Sequence, residues 1–428
     1  MTCFNNVEEL IRFIETSKRV TPKQDLAKME YYLKDLGNPH HNLPVIHITG
    51  TNGKGSTVAF LNSIFRYHNL NVGCFTSPYI TKFNERIRYN DNFISDEDLL
   101  NIGNKILSLY PKWEKEEIEL PSFFELVTLI CFVYFKNIKN LDIVLLEVGI
   151  GGRLDSTNVV DPLISVITGV SFDHMNLLGN SLKEILNEKL GITKKNKPLF
   201  VNIKDNELKE ICINKGKELN SNVYFIDEYS LDIKKCDLTG SIFLYNNEEI
   251  DIKMLGYHQI ENACLAYRVA KYYFENIRSD FKYSKVLLCK GLKNTFWLGR
   301  LEIINEDPFI IVDGAHNEDG INKVCKFINN LPVDVKSRRG IVAISDNKDK
   351  EKMIDVLDNT FGEIIFTKFN YSRSSTSNTL YSLSNNKNKL IMEDLDEIKE
   401  YLYNHPKQLN IFIGSLYFVS EVKKFFNH

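Results

Sequence analysis

Apolar residues along the chain fall into short continuous runs separated by stretches with helical spacing. The runs "VIHIT" (45–49), "VGCFTS" (72–77), "LDIVLLEVG" (141–149) and "ISVITGV" (164–170) read as strands. Strands that are apolar throughout and alternate with helices predict a mostly parallel sheet covered on both faces. The first two thirds of the chain are therefore expected to form a doubly wound α/β domain. Within 258–278, Ile260, Cys264, Tyr267, Ala270 and Phe274 recur at intervals of three and four, which predicts a helix with one buried face.

A second alternation begins after "NTFWLGRLEII" (294–304), with "FIIVDGAHN", "RGIVAIS", "EIIFTKF", "KLIMEDL" and "LNIFIGS" as its strands. This predicts a boundary near 294–300, dividing the chain into 1–297 and a smaller, Rossmann-like α/β domain over 298–428. The polar stretch 370–389 reads as a surface loop with a short helix.

Composition narrows the classes. Lys plus Arg (53) nearly balances Asp plus Glu (56), so no cationic excess points to nucleic acid. The longest apolar stretch, "LVTLICFVYF" (126–135), falls well short of the roughly 20 residues that span a bilayer, and the acidic N-terminus lacks the core of a signal peptide. The eight cysteines are scattered, without C-x-x-C or metal-ligand spacing, as expected of reduced thiols in a cytoplasmic protein.

The stretch "GTNGKGST" (50–57) sits between a predicted strand and a helix whose face continues through Val58, Leu61 and Phe65. A nucleotide phosphate needs converging backbone N–H groups, a helix N-terminus and one Lys. Asn52, Gly53, Lys54, Gly55 and Ser56 offer these. The spacing departs from the Walker pattern, with two residues between Gly50 and Gly53 and Gly55 where Ser or Thr usually follows the Lys. For the motif alone, a Gly-rich turn joining strand to helix is the alternative.

Glu147 ends an apolar strand, where ligands of parallel sheets bind, and a carboxylate buried there calls for a cation or a proton. Arg153 and Asp155, in "GGRLDSTN", are placed to pair with each other. Ser122 and Glu125 read as a helix-capping box, which keeps Glu125 outside the catalytic set. Arg86 and Arg88, on either side of Ile87, fit a solvated strand face or a substrate contact.

Taken in order from residue 45 to residue 422, these motifs resemble the folylpolyglutamate synthase and dihydrofolate synthase branch of the Mur ligase superfamily. "TGTNGKGS" resembles its ATP loop, "TSPYITKFNERI" the segment after its second strand, and "GYHQIENACLAY" its G-x-H-Q-x-x-N-A helix. "WLGRLE" resembles its Trp-Pro-Gly-Arg-x-Glu, with Leu298 in place of Pro. The resemblance implies an ATP-dependent ligase that joins L-glutamate to the γ-carboxylate of folates through an acyl phosphate. Dihydropteroate is the alternative or additional acceptor. It assigns Ser77, Glu147 and His174 to magnesium, with two Mg²⁺ sites, and makes Lys189 a candidate carbamate. Asn262, Arg300 and Asp313 go to ATP, and His316 and Ser415 to the incoming glutamate. A monovalent cation and a monomeric state are further implications. A Mur ligase acting on UDP-linked substrates is the nearby alternative, disfavoured because only 44 residues precede the loop's strand. A non-catalytic nucleotide switch is the distant one, and it would not need Asn262, Arg300, Asp313 and His316.

Overall fold

The computed structural model describes residues 3–18 and 25–426. Its largest sheet contains β1 (Val45–Thr49), β2 (Val72–Phe75), β3 (Ile87–Tyr89), β4 (Asn92–Phe93), β5 (Ile143–Glu147), β6 (Ile164–Ile167), β7 (Leu199–Val201) and β8 (Val223–Phe225). Their order is β4-β3-β2-β5-β1-β6-β7-β8. From β2 to β8 all neighbours are parallel, and β3–β4 adds an antiparallel edge. The apolar runs become the fully buried β1, β2, β5 and β6, as their pattern predicts. Helix Phe123–Lys136, which carries the longest apolar stretch, is buried on nearly every side, and none of the described helices is long and apolar enough to cross a membrane.

A second, three-stranded antiparallel sheet has the order β11-β10-β9, from β9 (Leu231–Asp237), β10 (Gly240–Tyr245) and β11 (Glu248–Ile252). The third holds β12 (Glu302–Glu306), β13 (Phe309–Asp313), β14 (Arg338–Val342), β15 (Glu363–Phe366), β16 (Lys389–Ile391) and β17 (Leu409–Ile413), in the order β12-β13-β17-β14-β15-β16. It is parallel except for the β12–β13 hairpin. Alternate residues of its central strands enter two separate cores, Ile311, Val342 and Ile411 on one face and Ile310, Ile341 and Phe412 on the other. The polar stretch before β16 holds the short helix Ser377–Leu383.

The chain divides into two compact units, 1–230 with 261–292, and 231–260 with 293–428. The continuous 1–297 domain is thus corrected: the small sheet belongs with the C-terminal unit, because Leu255, Cys236, Leu238 and Tyr257 pack into that unit's core. The helix Tyr257–Tyr272 carries residues of both units, and its predicted face, from Ile260 to Phe274 just beyond its end, is buried.

Candidate functional site

In the first unit, β1 lies between β5 and β6, and the chain leaves it at Gly50. Two positions there require glycine. Gly50 (φ +156°) has Thr168 so close that a Cβ would lie 1.9 Å from its Oγ1, and Gly53 (φ +88°) has Asn262 Oδ1 2.5 Å from the equivalent point. Asn262 thereby meets the loop directly. The turn is closed by Thr168 Oγ1 donating to Asn52 O (2.6 Å), Thr51 N–H donating to Gly169 O (3.0 Å) and Thr51 Oγ1 donating to Ser171 O (3.0 Å). Helix Lys54–Tyr67 starts at once, capped only by Gly53, and its first internal bond runs from Thr57 N–H to Gly53 O. The N–H groups of Gly55 and Ser56 have no acceptor within the helix, which makes the turn an anion cradle. Lys54 Nζ folds back to Gly50 O (3.0 Å).

Glu147 pairs in register with Ile48, so its carboxylate stands beside that turn, 3% exposed. One of its oxygens accepts the Ser77 N–H at 3.1 Å, so Ser77 and Glu147 are in direct contact. Lys189 is 2% exposed; burial, aided by the charge of Lys54, pushes its ammonium down to about 7 against the pull of Asp173. His174 takes the left-handed conformation (φ +50°), its N–H donating to Asp173 Oδ1 at 2.8 Å and its Nε2 3.9 Å from that oxygen. Lys54, Lys189 and Asp173 therefore share one electrostatic neighbourhood, with His174 beside Asp173. Among the described residues no three His, Cys, Asp or Glu side chains gather as a metal cage.

The adjoining loop corrects one expectation. Arg153 does not pair with Asp155; its guanidinium bonds Glu188 at 2.8 and 3.0 Å. The Asp155 carboxylate instead accepts the N–H of Ile150 (3.0 Å), the N–H of Thr157 (3.0 Å) and the Thr157 hydroxyl (2.6 Å). A short Asp turns back readily onto nearby backbone, leaving the long Arg to reach a neighbouring helix.

In the second unit, β13 and β17 are parallel neighbours with Asp313 opposite Ile413, so the turns Gly314–His316 and Gly414–Ser415 emerge at the same end. Asp313 is buried and accepts the N–H groups of Leu301 (2.8 Å) and Ala315 (2.7 Å). Burial raises its carboxyl pKa, while the Arg300 charge and those two N–H groups oppose the rise. His316 Nδ1 lies 2.8 Å from Gly314 O; a carbonyl only accepts, so Nδ1 carries a proton, and in the neutral ring Nε2 is the acceptor. Ser415 Oγ accepts the Tyr417 N–H at 3.2 Å.

The Mur ligase middle domain family matches residues 48–270 of this chain. A Bacillus subtilis dihydrofolate synthase/folylpolyglutamate synthase is 34% identical over 412 residues, spanning 94% of this chain and 95% of that protein. The chain belongs to the folylpolyglutamate synthase and dihydrofolate synthase family. The crystal structure of the Thermotoga maritima folylpolyglutamate synthase superposes with a TM-score of 0.84 at 32% identity, covering 98% of this chain and 96% of that one. A folylpolyglutamate synthase complex with AMPPCP and folate gives 0.83 at 28% identity, covering 98% and 99%.

Sequence reasoning missed three features. Thr51 and Thr168 close the nucleotide loop. Arg86 is no solvated strand face: it is buried, its guanidinium 5.1 Å from the ring centres of Tyr79 and Phe123 and 5.6 Å from Phe83. The aromatic residues flanking it in "PYITKFNER" were the available signal. His258 has a buried Nδ1, and burial with the charges of Lys323 and Arg300 pushes its imidazole down to about 3.

Proposed function

We propose that this chain ligates L-glutamate to the γ-carboxylate of folates with ATP, through an acyl phosphate. Its similarity along nearly its whole length to a dihydrofolate synthase/folylpolyglutamate synthase supports this family activity. The observation that carries the chemistry is the glycine-shaped turn at Gly50–Ser56 beside the Ser77–Glu147 contact, at the carboxyl end of a parallel sheet.

Phosphates of ATP lie against the N–H groups of Gly55 and Ser56, with Lys54 turning from its own loop to the outer phosphates and Asn262 beside Gly53. The donor set suits a hard cation: a Ser77 hydroxyl and a Glu147 carboxylate, with phosphate oxygens and water completing the shell. Mg²⁺ bound there would neutralise charge building on the transferring phosphoryl group. A second Mg²⁺ falls to His174 and Lys189. A lysine whose pKa stands near 7 holds much free amine at neutral pH, so it can add to CO₂ and become an anionic carbamate ligand. Arg300 and Asp313 contact the nucleotide.

The folate γ-carboxylate attacks the γ-phosphorus and ADP leaves. The glutamate amine then attacks the acyl carbon, phosphate departs and the amide forms. His316 Nε2, the acceptor in the tautomer fixed by Gly314 O, takes a proton from the incoming ammonium, while Ser415 binds its carboxylate. A monovalent cation, a monomeric state and a cytoplasmic place, which the free thiols suit, complete the reading.

The test is phosphate release from Mg-ATP with L-glutamate, run with tetrahydrofolate and separately with dihydropteroate, with mass analysis for the added glutamyl residue. Product from tetrahydrofolate supports the proposal, and none from either acceptor overturns it. Product from both establishes the bifunctional reading, which the double name of the Bacillus subtilis relative favours.

A further inference from the structure

The turn that presents Arg300 is held in an unusual way. Gly299 and Leu301, on either side, both have positive φ (+64° and +44°), and for leucine that conformation is costly. Buried carboxylates engage the backbone at these flanks. Glu302 Oε2 accepts the Gly299 N–H at 2.7 Å, and Asp313 Oδ2 accepts the Leu301 N–H at 2.8 Å. Gly299 O in turn accepts the Gly314 N–H at 2.9 Å. The backbone on both sides of Arg300 is therefore fixed before any ligand arrives.

Asp313 has the Arg300 charge nearby. Glu302 has a different counter-ion, Lys423, from the helix Leu416–Phe426 near the end of the chain. The two side chains form an ion pair and are only 6% and 9% exposed. Taking two charges out of water in this way is costly, and simple packing would be served as well by two apolar side chains. What apolar side chains could not supply is an acceptor for the Gly299 N–H.

We propose that Lys423 is a positioning residue for Arg300: it holds the Glu302 carboxylate aimed at Gly299, which keeps the turn in the conformation that delivers the guanidinium to the nucleotide phosphates. This rests on the reading of Arg300 as a phosphate contact. Its influence reaches Arg300 through the Glu302 carboxylate and the Gly299 N–H.

The test compares kcat/KM for ATP, KM for glutamate and the melting temperature in the full chain. Lys423→Met is expected to lower kcat/KM for ATP about tenfold and leave KM for glutamate unchanged. Adding Glu302→Gln to Lys423→Met should recover most of that loss, because the amide oxygen still accepts the Gly299 N–H and needs no counter-ion. In an Arg300→Ala background Lys423→Met should add less than about a twofold loss, since the group it positions is gone. A folded Lys423→Met enzyme with unchanged kcat/KM, beside a crippled Arg300→Ala, overturns the positioning role alone. Losses that multiply in the double variant overturn it too, marking the pair as a general stabiliser. Full activity in Arg300→Ala removes the phosphate reading itself and the proposal with it. Should Lys423→Met fail to fold, the isosteric Glu302→Gln and the paired replacement carry the same comparison.

Discussion

The turn at Gly50–Ser56 and the turn at Gly299–Glu302 both present a cation, Lys54 in one and Arg300 in the other, yet they are shaped by different means. In the first, glycines let neighbouring side chains approach where a Cβ would collide, and bonds from Thr51 and Thr168 close the loop. In the second, a leucine is held at positive φ and buried carboxylates grip the backbone on either side of the arginine. The first shape is made by leaving atoms out, the second by fixing atoms in place. A substitution that adds a methyl should therefore damage the first turn, and one that removes a side chain should damage the second.

The largest effect is expected where the cation itself is removed. Lys54→Ala should lower kcat by roughly a thousandfold, the scale of losing a preorganised charge at a transferring phosphoryl group. Glu147→Gln should reduce metal-dependent turnover comparably. Near-normal turnover of both variants at saturating Mg-ATP would detach the first turn from catalysis. Next comes Gly53→Ala, which sets a Cβ against Asn262 Oδ1 and asks alanine for a left-handed φ; kcat/KM for ATP should fall about thirtyfold, with little change in KM for glutamate. An unchanged KM for ATP in this variant would show that the turn is looser than its contacts imply.

Leu301→Gly is the reciprocal substitution. Were backbone permissiveness the limiting factor, glycine at φ +44° would stabilise the turn. Leu301 is buried in the C-terminal core, however, and the loss of a buried leucine outweighs the relief of a left-handed residue, for a net cost of about 2 kcal/mol. Chemical denaturation measures it. A rise in stability would mean that the carboxylate clamp is not what holds this turn.

The same contrast explains what the sequence revealed. Gly50, Gly53 and Lys54 lie within five residues, so their geometry is local and legible. Glu147 was legible because an apolar strand ending in a carboxylate is a rare pattern with few physical outcomes. Asp313, Arg300 and Asn262 were reached only through resemblance, because nothing in their neighbours dictates their roles. The Glu302–Lys423 pair joins positions 121 residues apart; Glu302 closes the "WLGRLE" motif, but nothing around Lys423 marks it as that residue's partner. The Arg153–Asp155 pairing failed for a similar reason: proximity in sequence suggested a partner, whereas Glu188 lies across a packed loop. The strand β9 escaped notice because its exposed "LDIKKCD" lacks the continuous apolar run that marked the buried strands. β7 and β8, three residues each, are too short for periodicity to register.

The smallest expected effect concerns the strand that feeds the first turn. His47, fully buried in β1, bonds through Nε2 to Thr157 Oγ1 at 2.8 Å; that hydroxyl donates to Asp155, so Nε2 must be the donor to it. Burial, with the charge of Lys194, pushes the imidazole pKa down to about 3. The unfolded chain takes up a proton on this residue below its ordinary value of about 6.5, whereas the folded chain does not until near 3. Unfolding then binds protons, and stability falls as pH drops through that window. At pH 5.5 the difference of about one pH unit from 6.5 corresponds to about 1.4 kcal/mol of lost stability. His47→Gln keeps an N–H for Thr157 and cannot titrate, so its stability should change less between pH 7.5 and 5.5 than that of the parent, even if it is lower at both. Identical pH dependence in the two proteins would show that His47 takes up its proton as readily in the folded chain as in the unfolded one, and that the strand behind the nucleotide turn is less tightly closed than its burial indicates.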